Sequence, residues 1–178
     1  MEDFKDLPER PHNIYEIKTF RSDGPWNTKS KGLLSVLFSI PFDVLTEKFL
    51  KYDNKELSGI PEDIRGLRIY TVKDLNEGEV GGMEYHRIRQ EIIFNLSGRI
   101  CWIFEDLFGK KREFNLYSGM GLWIPPFIMH TYKTMENKSG LLVLTNTLFN
   151  ADKKETHDTY SLKSFKELQN LFNLNSKR

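Results

Sequence analysis

The sequence predicts an all-β domain, a sandwich or barrel, with a strand-bearing N-terminal extension and a short C-terminal helix. Two observations carry this. From Arg68 to Thr147 the chain is a series of short β-branched and aromatic runs, separated in places by turn residues such as those at 95–98 and 106–109. Many short strands at such spacing argue for a sandwich or barrel. Beyond Tyr160 the period changes, and Phe165, Leu168, Leu171 and Phe172 recur at helical spacing.

Taken in order, residues 1–13 are polar and hold Pro8 and Pro11, which reads as an arm that is loose or laid on a partner. His12, within it, reads as an exposed titrating side chain. Ile14, Glu16, Lys18 and Phe20 alternate as a short strand would, and Ser22, Asp23, Gly24 and Pro25 end it in a turn. Residues 32–42 are almost wholly apolar but too few to span a bilayer, so they are expected to form a buried strand or an interface strand. One or two helical turns follow at 43–51, then a turn-rich loop at 52–66. Arg68, Ile69, Tyr70, Thr71 and Val72 open the barrel itself, with further strands at about 83–88, 91–96, 99–105, 111–116, 120–124, 128–134 and 140–147. In the tail, Ser164 and Glu167 have the spacing of a capping box. A helix there can cover one face of the barrel, and residues 173–178 should fray. The expected units are 1–63, arm and strands; 64–160, barrel; and 161–178, helix and tail.

A chain of 178 residues suits one domain with extensions. Net charge is +1 and the pI about 7.8, which makes no electrostatic case for a nucleic acid or an acidic membrane surface as partner. The single cysteine, Cys101, cannot form an intrachain disulfide and sits in an apolar run, as a packed strand residue in a reducing compartment would. No basic-then-apolar leader and no bilayer-length apolar run is present, so a cytoplasmic location is expected.

The chemistry concentrates between Gly78 and Thr134, in two blocks. The first holds Gly78, Glu84, Tyr85, His86, Glu91 and Gly98; the second holds Gly119, Pro125, Pro126, Phe127, His130 and Thr134. Alternate side chains of a strand share a face, so Glu84 and His86 point the same way. If that way is inward, both enter the mouth of a small barrel, where His130 could join them from another strand. A carboxylate and two imidazoles around one hollow serve as acid/base groups or as metal ligands, and the residues alone leave both open. Arg87 and Arg89 fall on the opposite face and read as solvated surface charges; His157, in a charged loop, reads as surface too.

The register of the two blocks resembles the motifs of the cupin superfamily, with Glu84 standing where the first histidine of a pair would be and Phe127 and Thr134 replacing a glycine and an asparagine. The resemblance implies an RmlC-like cupin jelly-roll β-barrel. Within that superfamily, residues 64–168 look most like the sugar-nucleotide 3,4-ketoisomerases, the WxcM-like C-terminal family. The matching features are Arg68-Ile69-Tyr70, the gapless run to His86, the turn at 95–98, Gly121-Leu122-Trp123-Ile124-Pro125-Pro126 with His130, and Asp158-Thr159-Tyr160 followed by Phe165. The chain departs from the pattern at Glu84, at Gly81, where an arginine usually stands, and in residues 18–60, which have no clear counterpart.

What the resemblance implies is an isomerase of the 3,4-ketoisomerase or epimerase type. It would act on a nucleotide-linked 4-keto-6-deoxy sugar, in the synthesis of an unusual deoxysugar for a surface polysaccharide. His86 would be the base, Glu84 would take the missing histidine's part, and Tyr70 would donate to the oxyanion. Arg68 would contact phosphate, and Trp123, His130 and Tyr132 would line the substrate pocket. No cofactor is implied. Two alternatives stand beside this: a metal-dependent cupin with Glu84, His86, Glu91 and His130 around one divalent transition metal ion, and a non-catalytic nucleotide-sugar-binding module. Glu91 is a ligand, a partner orienting His86, or a polar group at the rim. A homodimer is expected, through exchange of the apolar run at 33–42 and the arm.

Overall fold

Two five-stranded antiparallel sheets face one another. In the first, the strands lie in the order β1 (Lys18–Arg21), β9 (Met120–Ile124), β6 (Glu91–Ser97), β11 (Ser139–Thr147) and β4 (Arg65–Leu75). In the second the order is β12 (Tyr160–Ser161), β5 (Val80–Tyr85), β10 (Met129–Thr134), β7 (Arg99–Glu105) and β8 (Lys111–Tyr117). The computed structural model describes residues 7–8, 10–52 and 62–175. The expectations for most of the arm (1–6 and 9), for 53–61 of the loop and for 176–178 of the tail lie outside them. The fold is the all-β jelly roll that the sequence predicts, built as a sandwich rather than a closed barrel.

Strand alternation makes the core. Ile93, Leu122, Ile124, Leu141 and Val143 of the first sheet meet Ile100, Trp102, Phe104 and Leu116 of the second, all buried. Trp102 and Phe104 lie parallel, with ring centroids 5.9 Å apart. Each such side chain contributes roughly 1.5–3 kcal/mol by leaving water.

The outer face of the second sheet is covered by α2 (Leu162–Asn175), whose Phe165 and Leu168 pack with Tyr85, Leu107, Phe127 and Met129. Ser161, not Ser164, caps this helix: Ser161 Oγ accepts from the Ser164 amide at 3.3 Å. Ser164 lies inside the first turn, and its hydroxyl meets that of Tyr85 at 3.1 Å. The helix continues through Asn175 where fraying was expected from 173.

The outer face of the first sheet, bearing Ile92, Phe94 and Trp123, is covered by Phe20 and by the chain from Leu37 to Leu50. That chain includes α1 (Phe42–Val44), which runs on as a π-helical turn (Leu45–Phe49), in agreement with the expected helical turns. Residues Ile14–Glu16 form a 3₁₀ turn instead of a strand. Asn13 caps it, accepting from the Tyr15 amide at 2.9 Å, so the alternation that suggested a strand belongs to β1 only from Lys18 onward.

The apolar run at 32–42 is not a buried strand. Its first half, β3 (Leu33–Val36), pairs with β2 (Asp23–Asn27), which occupies the expected turn, and the two form a separate ribbon. Leu33 is 72 % exposed there. Only Leu37, Phe38 and Ile40 gain cover on the first sheet. An apolar run shows that some residues need cover, not which ones; closing a short hairpin costs the least chain entropy. Among the described residues no helix is long and apolar enough to cross a membrane.

Candidate active site

Glu84 of β5 lies directly opposite His130 of β10, and opposed residues in an antiparallel pair point to the same face. Both side chains therefore enter the space between the sheets. Immediately beyond, the register slips, with Gly82 and Met83 at φ of +75° and +64°. The slip is a bulge of the kind that re-aims a side chain. Gly81 then lies opposite Tyr132, whose phenol ring occupies the space a Cβ at 81 would need.

His86 follows the end of β5 and begins the segment 86–90, which is held by one residue far along the chain. The buried Asp158 carboxylate accepts from the amides of Arg87 (2.9 Å), Ile88 (3.1 Å) and Arg89 (2.7 Å). The Asp158 carbonyl accepts from His86 Nδ1 at 2.6 Å. Because three successive amides turn toward one carboxylate, strand alternation ends here. Arg87 and Arg89 are buried, at 1 % and 4 % exposure, rather than solvated. Arg89 donates from Nε to Thr147 at 2.9 Å and from its terminal nitrogens to the His157 carbonyl and to Thr159.

Glu91 opens β6 and reaches the histidines from the other sheet. Its carboxylate lies 3.4 Å from His86 Nε2, 3.7 Å from His130 Nε2 and 3.9 Å from Arg89. The two imidazole centroids are 5.1 Å apart. His130 Nδ1 meets the Ile128 carbonyl at 3.0 Å. A carbonyl only accepts, so both rings carry a hydrogen on Nδ1 and present Nε2 to the hollow. His86 Nε2 is buried without a hydrogen-bond partner among the described residues.

Burial pulls the Glu91 carboxyl upward, but His86, His130 and Arg89 together overcome this and hold it down at about 2. Burial also lowers His130 against the opposing pull of Glu91, which favours the neutral ring. Tyr70, half-buried among Glu91 and Glu84, is raised by burial and by both carboxylates and stays a hydrogen-bond donor. Burial, with Arg89 nearby, lowers Arg68.

Glu84, His86 and His130 each offer a ligand atom, all within 4.8 Å of one another. Two imidazoles and a carboxylate, with Glu91 behind them, are a donor set that suits a divalent transition metal.

Glu84 also lines a cavity of about 410 Å³ with Arg68, Tyr70, Arg89, Phe149, His157 and Thr159. The Arg68 guanidinium stands over Tyr70 at 4.8 Å and Phe149 at 5.1 Å, and its Nε is buried with no partner among the described residues. Phe149 and His157 stack at 4.4 Å. Two guanidiniums beside an aromatic wall can hold a phosphate group and a flat ring.

The structure thus brings together Glu84, His86, His130, Glu91, Tyr70 and Arg68. Tyr132 lies inside the sandwich, packed on Trp102 at 5.1 Å. Trp123 does not join them: it is on the outer side of the first sheet, packed on Phe49 with its indole N–H donating to Gln90 at 2.8 Å. Its neighbours Leu122 and Ile124 face inward, so alternation turns Trp123 out. His157 is a cavity wall rather than free surface. Arg89, Phe149, Asp158 and Thr159 are the residues that sequence reasoning missed as site components. Asp158 and Thr159 stood in a matching motif without a role, and Phe149 carried no signal in its spacing.

A model of the family described as WxcM-like, C-terminal (FdtA) matches residues 48–167. No curated protein matches. Among solved structures, the chain is similar to QdtA, a sugar 3,4-ketoisomerase from Thermoanaerobacterium thermosaccharolyticum in complex with TDP, at 16 % identity and a TM-score of 0.59, covering 90 % of this chain and 99 % of that one. WlaRA, a TDP-fucose-3,4-ketoisomerase from Campylobacter jejuni, is 21 % identical with a TM-score of 0.57, covering 88 % and 97 %. The dTDP-4-dehydrorhamnose 3,5-epimerase of Bacillus anthracis, with TDP and PPi bound, is 13 % identical with a TM-score of 0.56, covering 84 % and 80 %. At these identities the likeness is one of fold.

Proposed function

Because the chain belongs to the WxcM-like, C-terminal (FdtA) family, we propose that it is an isomerase, of the 3,4-ketoisomerase or epimerase type, acting on a nucleotide-linked 4-keto-6-deoxy sugar. Its product would serve the synthesis of an unusual deoxysugar for a surface polysaccharide. The observation that carries this reading is the approach of His86, His130 and Glu84 within 4.8 Å of one another, backed by ionised Glu91, with Glu84 also lining the cavity that holds Arg68 and Arg89. Among solved relatives, a QdtA variant was crystallised with TDP-4-keto-6-deoxyglucose, which supports the substrate class.

His86 Nε2 takes the proton from sugar carbon 3, and the electron pair left behind forms the carbon 3–carbon 4 double bond of an enediolate. The charge goes to oxygen 4, where Tyr70 donates a hydrogen bond. Glu91 stabilises the imidazolium formed at His86 without moving. Glu84 relays the oxygen 3 proton to oxygen 4; the carbon 3 carbonyl forms as carbon 4 takes the proton back from His86. Arg68 and Arg89 hold the diphosphate, and the Phe149–His157 wall supports a flat ring. Incubation with TDP-4-keto-6-deoxyglucose in deuterated water tests the proposal. Deuterium should enter the sugar ring in the wild type and not in His86→Ala; no exchange in either would leave a binding module.

A second reading, a metal-dependent enzyme, is favoured by one observation, the mutual approach of Glu84, His86 and His130. A bound divalent ion would supply a Lewis acid for the carbonyl. Elemental analysis of protein purified without added metal decides: a stoichiometric ion supports this reading, and its absence removes it. The exposed β2–β3 ribbon supports a homodimer, which scattering mass at low concentration tests.

A further inference from the structure

A second cavity, of about 490 Å³, lies on the far side of the segment 86–90 and shares no lining residue with the first. Its walls come from the N-terminal segment, β1, the π-helical turn and the β9–β10 connection. Arg10, Lys18, Lys48 and Lys51 face it, and all are exposed. In a chain of net charge +1 this is a strong local excess among the described residues. Among the described residues Glu16 is the one carboxylate lining the cavity. It is already committed to His12 Nδ1 at 2.6 Å and to the Asn13 amide and side chain at 3.2 and 2.8 Å. Among the described residues no carboxylate lies within ion-pair distance of the four cations.

Gathered like charges repel, and an anion placed among them is attracted by all of them. Lysine ammoniums are flexible point-charge contacts for phosphate. Trp123, Pro125 and Pro126 line the same cavity and give it apolar and aromatic surface. The Trp123 N–H is held by Gln90, and Lys18 already lies 5.1 Å from the indole centroid. The volume is in the range of small-molecule sites.

We propose that this cavity is a second ligand site, for a phosphorylated small molecule carrying a flat ring. The phosphates would lie among Arg10, Lys48 and Lys51, and the ring would lie against the Trp123–Pro125 surface. The proposal does not depend on the isomerase reading.

Calorimetric titration of the whole protein with inorganic pyrophosphate and with adenosine 5′-diphosphate, at low salt, tests it. We expect saturable binding, tighter for the nucleotide than for pyrophosphate. The exchange Lys48→Glu with Lys51→Glu should weaken it at least tenfold with an unchanged melting temperature, and saturable binding should persist in Arg68→Ala, where the first cavity has lost its phosphate contact. The nucleotide should also quench tryptophan fluorescence in the wild type and fail to do so in Trp123→Phe. No saturable binding overturns the proposal, as does binding lost in Arg68→Ala but kept in the lysine pair, which would place the ligand in the first cavity. Equal affinity for the two probes overturns the ring contact.

Discussion

The phenol ring of Tyr132 lies across Gly81: a Cβ added at 81 would stand 2.2 Å from the ring. The two residues are paired across β5 and β10, so a side chain at 81 would require the Tyr132 ring to turn aside. The absence of a side chain at 81, where the family resemblance leads one to expect arginine, is thus matched by a ring filling the same volume. Gly81→Arg should destabilise the protein by about 1–3 kcal/mol through overpacking. Combined with Tyr132→Ala it should recover most of that loss. Denaturant titrations of the four proteins in this cycle give the coupling directly.

His86→Asn keeps a donor toward the Asp158 carbonyl but removes the base from the hollow. Ring-proton exchange in deuterated water should fall about 100-fold or more, the ordinary yield of a positioned base. The melting temperature should change little by comparison.

Asp158→Ala strips the amides of Arg87, Ile88 and Arg89 of their acceptor. Each buried donor left unsatisfied costs about 1–3 kcal/mol, so a loss of at least ~3 kcal/mol is expected by chemical denaturation. Asp158→Asn, which keeps one acceptor oxygen, should lose less and retain part of the exchange activity.

Acid should destabilise the fold in two windows. His130 has its proton affinity lowered by folding. The unfolded chain therefore binds that proton more readily, and stability falls as pH drops below about 6.5. The folded Glu91 carboxyl is held at about 2 against an ordinary 4.5. Its contribution is complete above the ordinary value and lost as pH falls toward 2. Melting temperature against pH should show both losses, and Glu91→Gln should abolish the lower one.

Phe165→Ala opens a void between α2 and the second sheet, where Phe165 is fully buried against Tyr85. A loss of about 3–5 kcal/mol is expected by denaturant unfolding.

Much of the sandwich was legible, because its strands alternate cleanly and their turns carry glycine or asparagine. The shared face of Glu84 and His130 agrees with strand alternation, and His86, just past β5, with the motif register. Where alternation was carried past the end of β5 it failed, and Arg87 and Arg89 were turned the wrong way. The core positions of Leu122 and Ile124 put Trp123 between them on the outer face, which its motif position alone does not reveal. Phe149, His157 and Asp158 were hidden for a different reason. They lie outside the regular strands, where no period exists; bonds from Arg87 and Arg89, about 70 positions earlier, hold Asp158 and His157, and Phe149 is held by its contacts with Arg68 and His157. The ribbon at 23–36 was misjudged because hydrophobicity measures a need for cover without saying whether the same chain supplies it.

Both imidazoles are tethered through Nδ1 to peptide oxygens, those of Asp158 and Ile128. Every amino acid brings that oxygen, so the choice of working nitrogen is immune to replacement of either anchoring side chain as long as the main chain keeps its course. Evolution of this hollow is then free to exchange the groups around the two rings while the rings themselves stay aimed.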